Sequence, residues 1–238
     1  MTGQAKRLAS EPELVVSPAH PEPSALARTL RGISILTIPS LAVATTLALA
    51  WQSSQAPFEL FDGVLSPSHV QELYPSLWLT WGHALVPCVF LIANLVNRRY
   101  GERMTSNHVL ASWAVSALIA IGVLSNVIPL ETSHEDLPSL RHAISFFAAM
   151  IMGQLVGAYV FERTRGVAWW NAPAYSALAS SLIAVPLYYL LAFGGSDWIW
   201  VNRMTIDLGL KAFVSFALLV PYFLLRPIIR PLTGLGGY

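Results

Sequence analysis

Charge is scarce in this chain of 238 residues: Asp, Glu, Lys and Arg together make up 11% of it, against 55% hydrophobic side chains. With a mean hydropathy of +0.56, that balance lies outside the range of an ordinary water-soluble domain. The 14 basic and 13 acidic residues leave a net charge of +1, so no field is present to gather nucleic acid. One cysteine, Cys88, excludes an intramolecular disulfide, and a lone thiol within an apolar run is packing material. No GxxxxGK[ST] loop occurs, so the chain does not itself use ATP; no GxSxG turn or HExxH pair occurs, and hydrolase chemistry has no carrier. The expectation is a protein that is not an enzyme. His83 and His142 fall toward one membrane face, where two imidazoles could hold a haem, but the second ligand pair of an electron-transfer bundle is missing. No cofactor is therefore expected.

What the chain does have is six apolar stretches, at roughly 33–51, 76–96, 108–129, 142–161, 172–193 and 204–225, each near the 20 residues a helix needs to cross about 30 Å of hydrocarbon. The strict alternation of a membrane β-barrel is missing from runs such as Ser116 to Val123. These features predict an all-α polytopic bundle of six transmembrane helices, embedded in a lipid bilayer.

The cations fix its orientation. Arg28 and Arg31 precede the first stretch, Arg98, Arg99 and Arg103 follow the second, Arg163 and Arg165 follow the fourth, and Arg226 and Arg230 follow the sixth. The alternate connections hold only Arg141 and Arg203, together with Glu59, Asp62, Glu72, Glu131, Glu135, Asp136 and Asp197. Positive residues stay inside, so both termini are expected in the cytoplasm. Trp51, Trp78, Trp198 and Trp200 fall near the outer boundary, and Trp113, Trp169 and Trp170 near the inner one. Residues 1–28, rich in Glu and Pro, read as a disordered cytoplasmic tail, with 29–238 as the transmembrane domain. Lys6 and Arg7 lead into a polar stretch, unlike a signal peptide.

Polar groups inside lipid need a partner or a task. Asp207 and Lys211 stand at i and i+4 on the last stretch, with Lys211 roughly 10 Å below the outer surface. Two readings are open: a self-neutralising pair that snorkels outward, or a pair that faces a central cavity and meets a polar ligand. Asn94, Asn97 and Gln154 are amides that can bond the edge of a heterocycle or lock helices together, and Gly153 with Gly157 suits close helix packing. Ser176, Ser180 and Ser181 carry little information, since serines often bond their own helix. Pro87, Pro186 and Pro221 predict interruptions in the second, fifth and sixth stretches; if the two halves are related, the second and fifth correspond.

The segment WGHALVPCVFLIANLVNRRYG from Trp81 to Gly101, and Arg141 to Trp170 with its GQLVGAYVFERTRG core, resemble the VUT family of queuosine-precursor transporters, as a divergent member. The likeness continues through Ser176 to Phe193 and through Asp207, Lys211, Pro221 and Tyr222, about 150 residues in all. The resemblance implies a six-helix carrier of the bacterial inner membrane that takes up a 7-deazaguanine such as preQ0 or preQ1. Its partners would be the small-molecule solute and the bilayer, with a homodimer or external energising subunits left open. The substrate set it suggests is Trp81, Asn94, Gln154, Ser181, Asp207 and Lys211, with Tyr159, Tyr188 and Tyr189 as further stacking surfaces. Family sequences usually carry an aspartate where this chain has Asn94, Gly157 and Ala184, and an asparagine where it has Ser181. The departures leave a substrate-binding subunit, or a scaffold that no longer transports, as alternatives.

Overall fold

The computed structural model describes residues 24–62, 74–124, 139–196 and 199–232. Glu72, Glu131, Glu135, Asp136, Asp197 and Trp198 lie outside the described residues, as does the expected tail up to residue 23. The chain divides into two units, residues 1–34 and 35–238. In the first, the described residues are the opening turns of α1 (Ala25–Gln52), on which Leu26, Leu30 and Ile33 are exposed.

Among its described residues the second unit is built of helices joined by turns and short irregular segments, with one isolated bridge between Pro57 and Thr80. After α1 come α2 (Trp81–Leu85), α3 (Cys88–Tyr100), α4 (Glu102–Leu124), α5 (Leu140–Arg163), α6 (Asn171–Phe193), α7 (Ile199–Ala217) and α8 (Leu219–Leu225). Among the described residues, five helical segments are long and apolar enough to cross a membrane: 32–55, 102–123, 140–163, 171–193 and 199–225.

The stretch expected at 76–96 is not one helix. It is a short turn at Pro75–Leu77, then α2, then α3, with the break at Pro87. Proline brings no N–H to the carbonyl four residues earlier, and its ring crowds that carbonyl. The fifth stretch behaves differently from expectation, because α6 runs unbroken through Pro186, as α1 does through Pro39. Close packing of α6 on α5 along its length holds the helix on course where one hydrogen bond is lost. The sixth stretch parts at Leu218, three residues before Pro221. The interruptions therefore fall in the second and sixth stretches, not at corresponding places in two halves.

Beside a buried apolar core, the burial pattern departs from that of a soluble domain. Ile38, Leu118, Leu182 and Val220 stand exposed, while Asn94, Asn97, Gln154, Ser176, Ser180, Asp207, Lys211 and Ser215 are buried. An apolar outside and a hydrogen-bonded polar inside suit hydrocarbon as the surrounding solvent.

Small residues bring α5 and α6 together. A Cβ on Gly153 would lie 2.7 Å from the Ser180 carbonyl oxygen and 2.8 Å from the Ala184 Cβ, and one on Gly157 would strike the Ser180 hydroxyl. Only glycine permits this approach. Gly157 and Ala184, two of the positions at which the family resemblance leads one to expect acids, thus lie on a seam with no room for a carboxylate.

Candidate substrate site

Four polar side chains of α7 and α8 form one buried row. Asp207, Lys211 and Ser215 follow at i, i+4 and i+8, the spacing that stacks side chains on one helix face, and Tyr222 continues the row beyond the break. The Lys211 ammonium donates to Asp207 Oδ1, with side chains 7% and 2% exposed respectively. The ammonium is thus turned to the carboxylate within the bundle rather than outward to the membrane surface.

His83 on α2 and Tyr188 and Tyr189 on α6 lie within electrostatic reach of that carboxylate. The His83 ring is oriented from behind: Thr80 N–H donates to its Nδ1 at 3.2 Å and the Thr80 hydroxyl lies 3.0 Å from the same nitrogen. That contact forms a capping box, which starts α2 despite its five residues. Tyr188 and Tyr189 meet edge to face at 5.1 Å, and Tyr189 stacks on Phe193 at 5.6 Å. Two helices and the broken stretch thus bring an imidazole and two phenols into the electrostatic neighbourhood of the buried ion pair.

The amides are elsewhere, in two helix clamps. Asn94 Nδ2 donates to the Pro173 carbonyl at 3.2 Å, and its Oδ1 accepts from the Ser176 hydroxyl at 2.7 Å. Ser176 Oγ also lies 2.8 Å from the Gly157 carbonyl, so α3, α5 and α6 meet at this serine. Gln154 Nε2 donates to the Val89 carbonyl at 3.1 Å, while its Oε1 accepts from the Trp113 indole. Trp113 was expected at the inner boundary and is instead buried, at 1% exposure, because Gln154 offers its N–H a partner inside the bundle.

The remaining expected residues are not gathered around Asp207 and Lys211. Ser181 bonds the Ala177 carbonyl of its own helix at 2.9 Å. Trp81 is 45% exposed and rests edge-on against Phe58 at 4.7 Å. Tyr159 is exposed beneath the Arg163 guanidinium, 5.0 Å from its ring centroid. His142 packs on Phe193 with its Nδ1 2.6 Å from the Ser139 hydroxyl.

At the far end of the row, arginines tie helix ends together. Arg98 donates to the Ile229 carbonyl and Arg99 to that of Arg230, while Leu232 N–H returns to the Arg99 carbonyl. Arg165 donates to the Asn97 carbonyl and, at 3.1 Å, to its Oδ1; Asn97 Nδ2 in turn donates to the Ala158 carbonyl at 2.8 Å. Between this end and the ion pair lies a cavity of about 10 Å³ lined by Asn94, Ser215 and Tyr222 among others. Ser215 escaped the sequence reading, although its place one turn after Lys211 was the available signal.

Residues 80–225 match the family model described as "Putative vitamin uptake transporter". The chain is 28% identical over 197 residues to a protein of Haemophilus influenzae named "Probable queuosine precursor transporter", covering 76% of this chain and 82% of that protein. It is 26% identical over 158 residues to the "Queuosine precursor transporter" of Escherichia coli K12, covering 60% of this chain and 71% of that one. No solved structure matches. The matched segment takes in both helix breaks, the amide clamps and the buried ion pair, and the chain belongs to this family of vitamin uptake transporters.

Proposed function

We propose that this protein is a six-span carrier of the bacterial inner membrane that takes up a queuosine precursor, a 7-deazaguanine such as preQ0 or preQ1, or a closely related heterocycle. The observation that carries the reading is the buried Asp207–Lys211 pair, with His83, Tyr188 and Tyr189 within its electrostatic reach, in a bundle whose outside is apolar. A desolvated ion pair is weak support for stability by itself, so a bundle gains little from keeping one there unless it meets a ligand. Asp207 matches the amidine-like edge of a 2-aminopyrimidinone, Lys211 its carbonyl, and the tyrosines its ring faces.

In this reading α2 and α3 together make the sixth crossing, Pro87 being a break within it, and residues 29–238 form the transporter domain after a cytoplasmic tail. The joining of Arg98, Arg99 and Arg165 to neighbouring helix ends supports one arginine-rich cytoplasmic face. The names of the two relatives support the cargo. The small residues at Gly157 and Ala184, in a seam without space for acids, favour recognition through α7 over recognition through α5 and α6.

The test is rescue of tRNA modification. A bacterium unable to make queuosine precursors and lacking its own importer expresses the protein and is supplied with preQ0, preQ1 or queuine. Modified tRNA with one of them identifies the cargo; its absence with all three, at good expression in the membrane, refutes the proposal. Recovery of an ATPase pair with the native complex would assign the chain instead to a substrate-binding subunit.

A further inference from the structure

The two helix breaks meet at one place. The small cavity is lined by Pro87 from the first break and by Leu218 and Leu219 from the second, closed in by Leu91, Asn94, Pro173, Ala177 and Tyr222. Ser215 completes the wall, and its hydroxyl is buried without a hydrogen-bond partner. A buried unpaired hydroxyl is a standing penalty in any membrane or protein interior, and native structures rarely keep one without a use. Asn94 beside it is half committed: one amide N–H goes to Pro173 and one lone pair to Ser176, which leaves a donor and an acceptor.

We propose that this junction is a second binding station for the solute, on the cytoplasmic side of the Asp207–Lys211 pair, collapsed in the present conformation. The inference rests on the carrier reading above. The three polar points, Ser215 hydroxyl, Asn94 N–H and Asn94 C=O, are complementary to a ring edge that carries an N–H next to a carbonyl. The leucines, prolines and the Tyr222 ring supply the apolar walls that a flat heterocycle needs on its faces. A volume of about 10 Å³ holds one water at most, whereas a ligand pocket is on the order of 300 Å³ or more. Opening therefore requires movement, and the junction has a hinge on each side, since Pro87 and Leu218 are the points where α2 parts from α3 and α7 from α8. Ser215, one helical turn beyond Lys211, sits where a solute released from the ion pair toward the cytoplasm arrives next.

The experiment uses the full chain in membrane vesicles, with Cys88→Ala as the parent so that no native thiol interferes. Uptake of radiolabelled preQ1 is followed against concentration for the parent and for Ser215→Ala, and thermal unfolding is followed for both. Loss of a hydrogen bond to the solute is expected to raise the apparent KM about five- to tenfold, with the unfolding temperature unchanged or higher because an unpaired hydroxyl is gone. Ser215→Cys, made in the parent, is then treated with a small thiol reagent in inside-out vesicles; labelling is expected, and excess preQ1 is expected to slow it. An unchanged KM for Ser215→Ala together with labelling indifferent to preQ1 overturns the station while a transporting parent leaves the carrier reading intact. A parent that transports nothing, with preQ1 still protecting S215C, removes the carrier reading and keeps the pocket.

Discussion

Replacing Lys211 by Met separates the two readings of the buried pair. The substitution removes the ammonium from Asp207 and keeps an unbranched side chain of similar length, so the packing loss is small. What remains is a carboxylate with 2% of its side chain exposed and its cation gone. Stranding one member of a buried ion pair costs about 3–5 kcal/mol. At about 2–4 °C per kcal/mol for a chain of this size, the purified protein is expected to unfold on the order of 10 °C lower, as followed by tryptophan fluorescence in detergent. The double variant, Lys211→Met with Asp207→Leu, removes the orphan charge as well; it is expected to return to within about 2 kcal/mol of the parent or to exceed it. Uptake should follow a different pattern, absent in both variants, because the solute has lost its partners in each. The reasoning fails if Lys211→Met unfolds at the parent's temperature, since the carboxylate would then not depend on the lysine. It fails differently if the double variant transports, which would make the pair a packing device.

Gln154→Leu leaves the Trp113 indole N–H and the Val89 carbonyl without their partner, at about 1–3 kcal/mol for each group that finds no substitute; its unfolding temperature is expected to fall, and Gln154→Glu should keep the indole bond but oppose Val89. Gly157→Ala forces a methyl onto the Ser180 hydroxyl at the α5–α6 seam and should destabilise by about 1–3 kcal/mol, whereas Gly209→Ala, with open space around its Cβ, should be neutral or stabilise α7. Asn94→Asp sets a carboxylate oxygen against the Pro173 carbonyl now held at 3.2 Å, so the variant should express in the membrane at a lower level than Asn94→Gln or lose heat resistance relative to the parent.

Much of the architecture is written in composition and period, because a helix in lipid must be long, apolar and internally hydrogen-bonded whatever its neighbours. The break at Pro87 and the close approach at Gly153 and Gly157 were legible for the same local reason. Pro186 was not, because whether a helix parts at proline depends on packing from outside the helix, and α5 supplies it there. Trp113 misled because an indole N–H donates equally well to interfacial water or to a buried carbonyl, and only the fold reveals that Gln154 faces it. The site divides along a similar line. Asp207 and Lys211 are joined by helical spacing alone, but His83, Tyr188 and Tyr189 come to them from two other elements, and Asn94 goes instead to Pro173 and Ser176.

That division bears on the acids that the family resemblance leads one to expect at positions 94 and 157. The amide at position 94 and the glycine at 157 are coupled: Ser176 Oγ lies within hydrogen-bond distance of both the Asn94 side-chain oxygen and the Gly157 carbonyl, and the bare backbone at 157 leaves it room there. An acid at 157 would push α6 away, and an ionised acid at 94 would have no N–H for Pro173. Around Ser176 the helices α3, α5 and α6 thereby form an uncharged, closely packed wall; the buried ion pair stands on α7, and buried Arg98 lies in the last turn of α3. In the proposed carrier, charge recognition would fall on the helix that parts at Leu218, so the element that reads the solute would also be the one with a hinge to move.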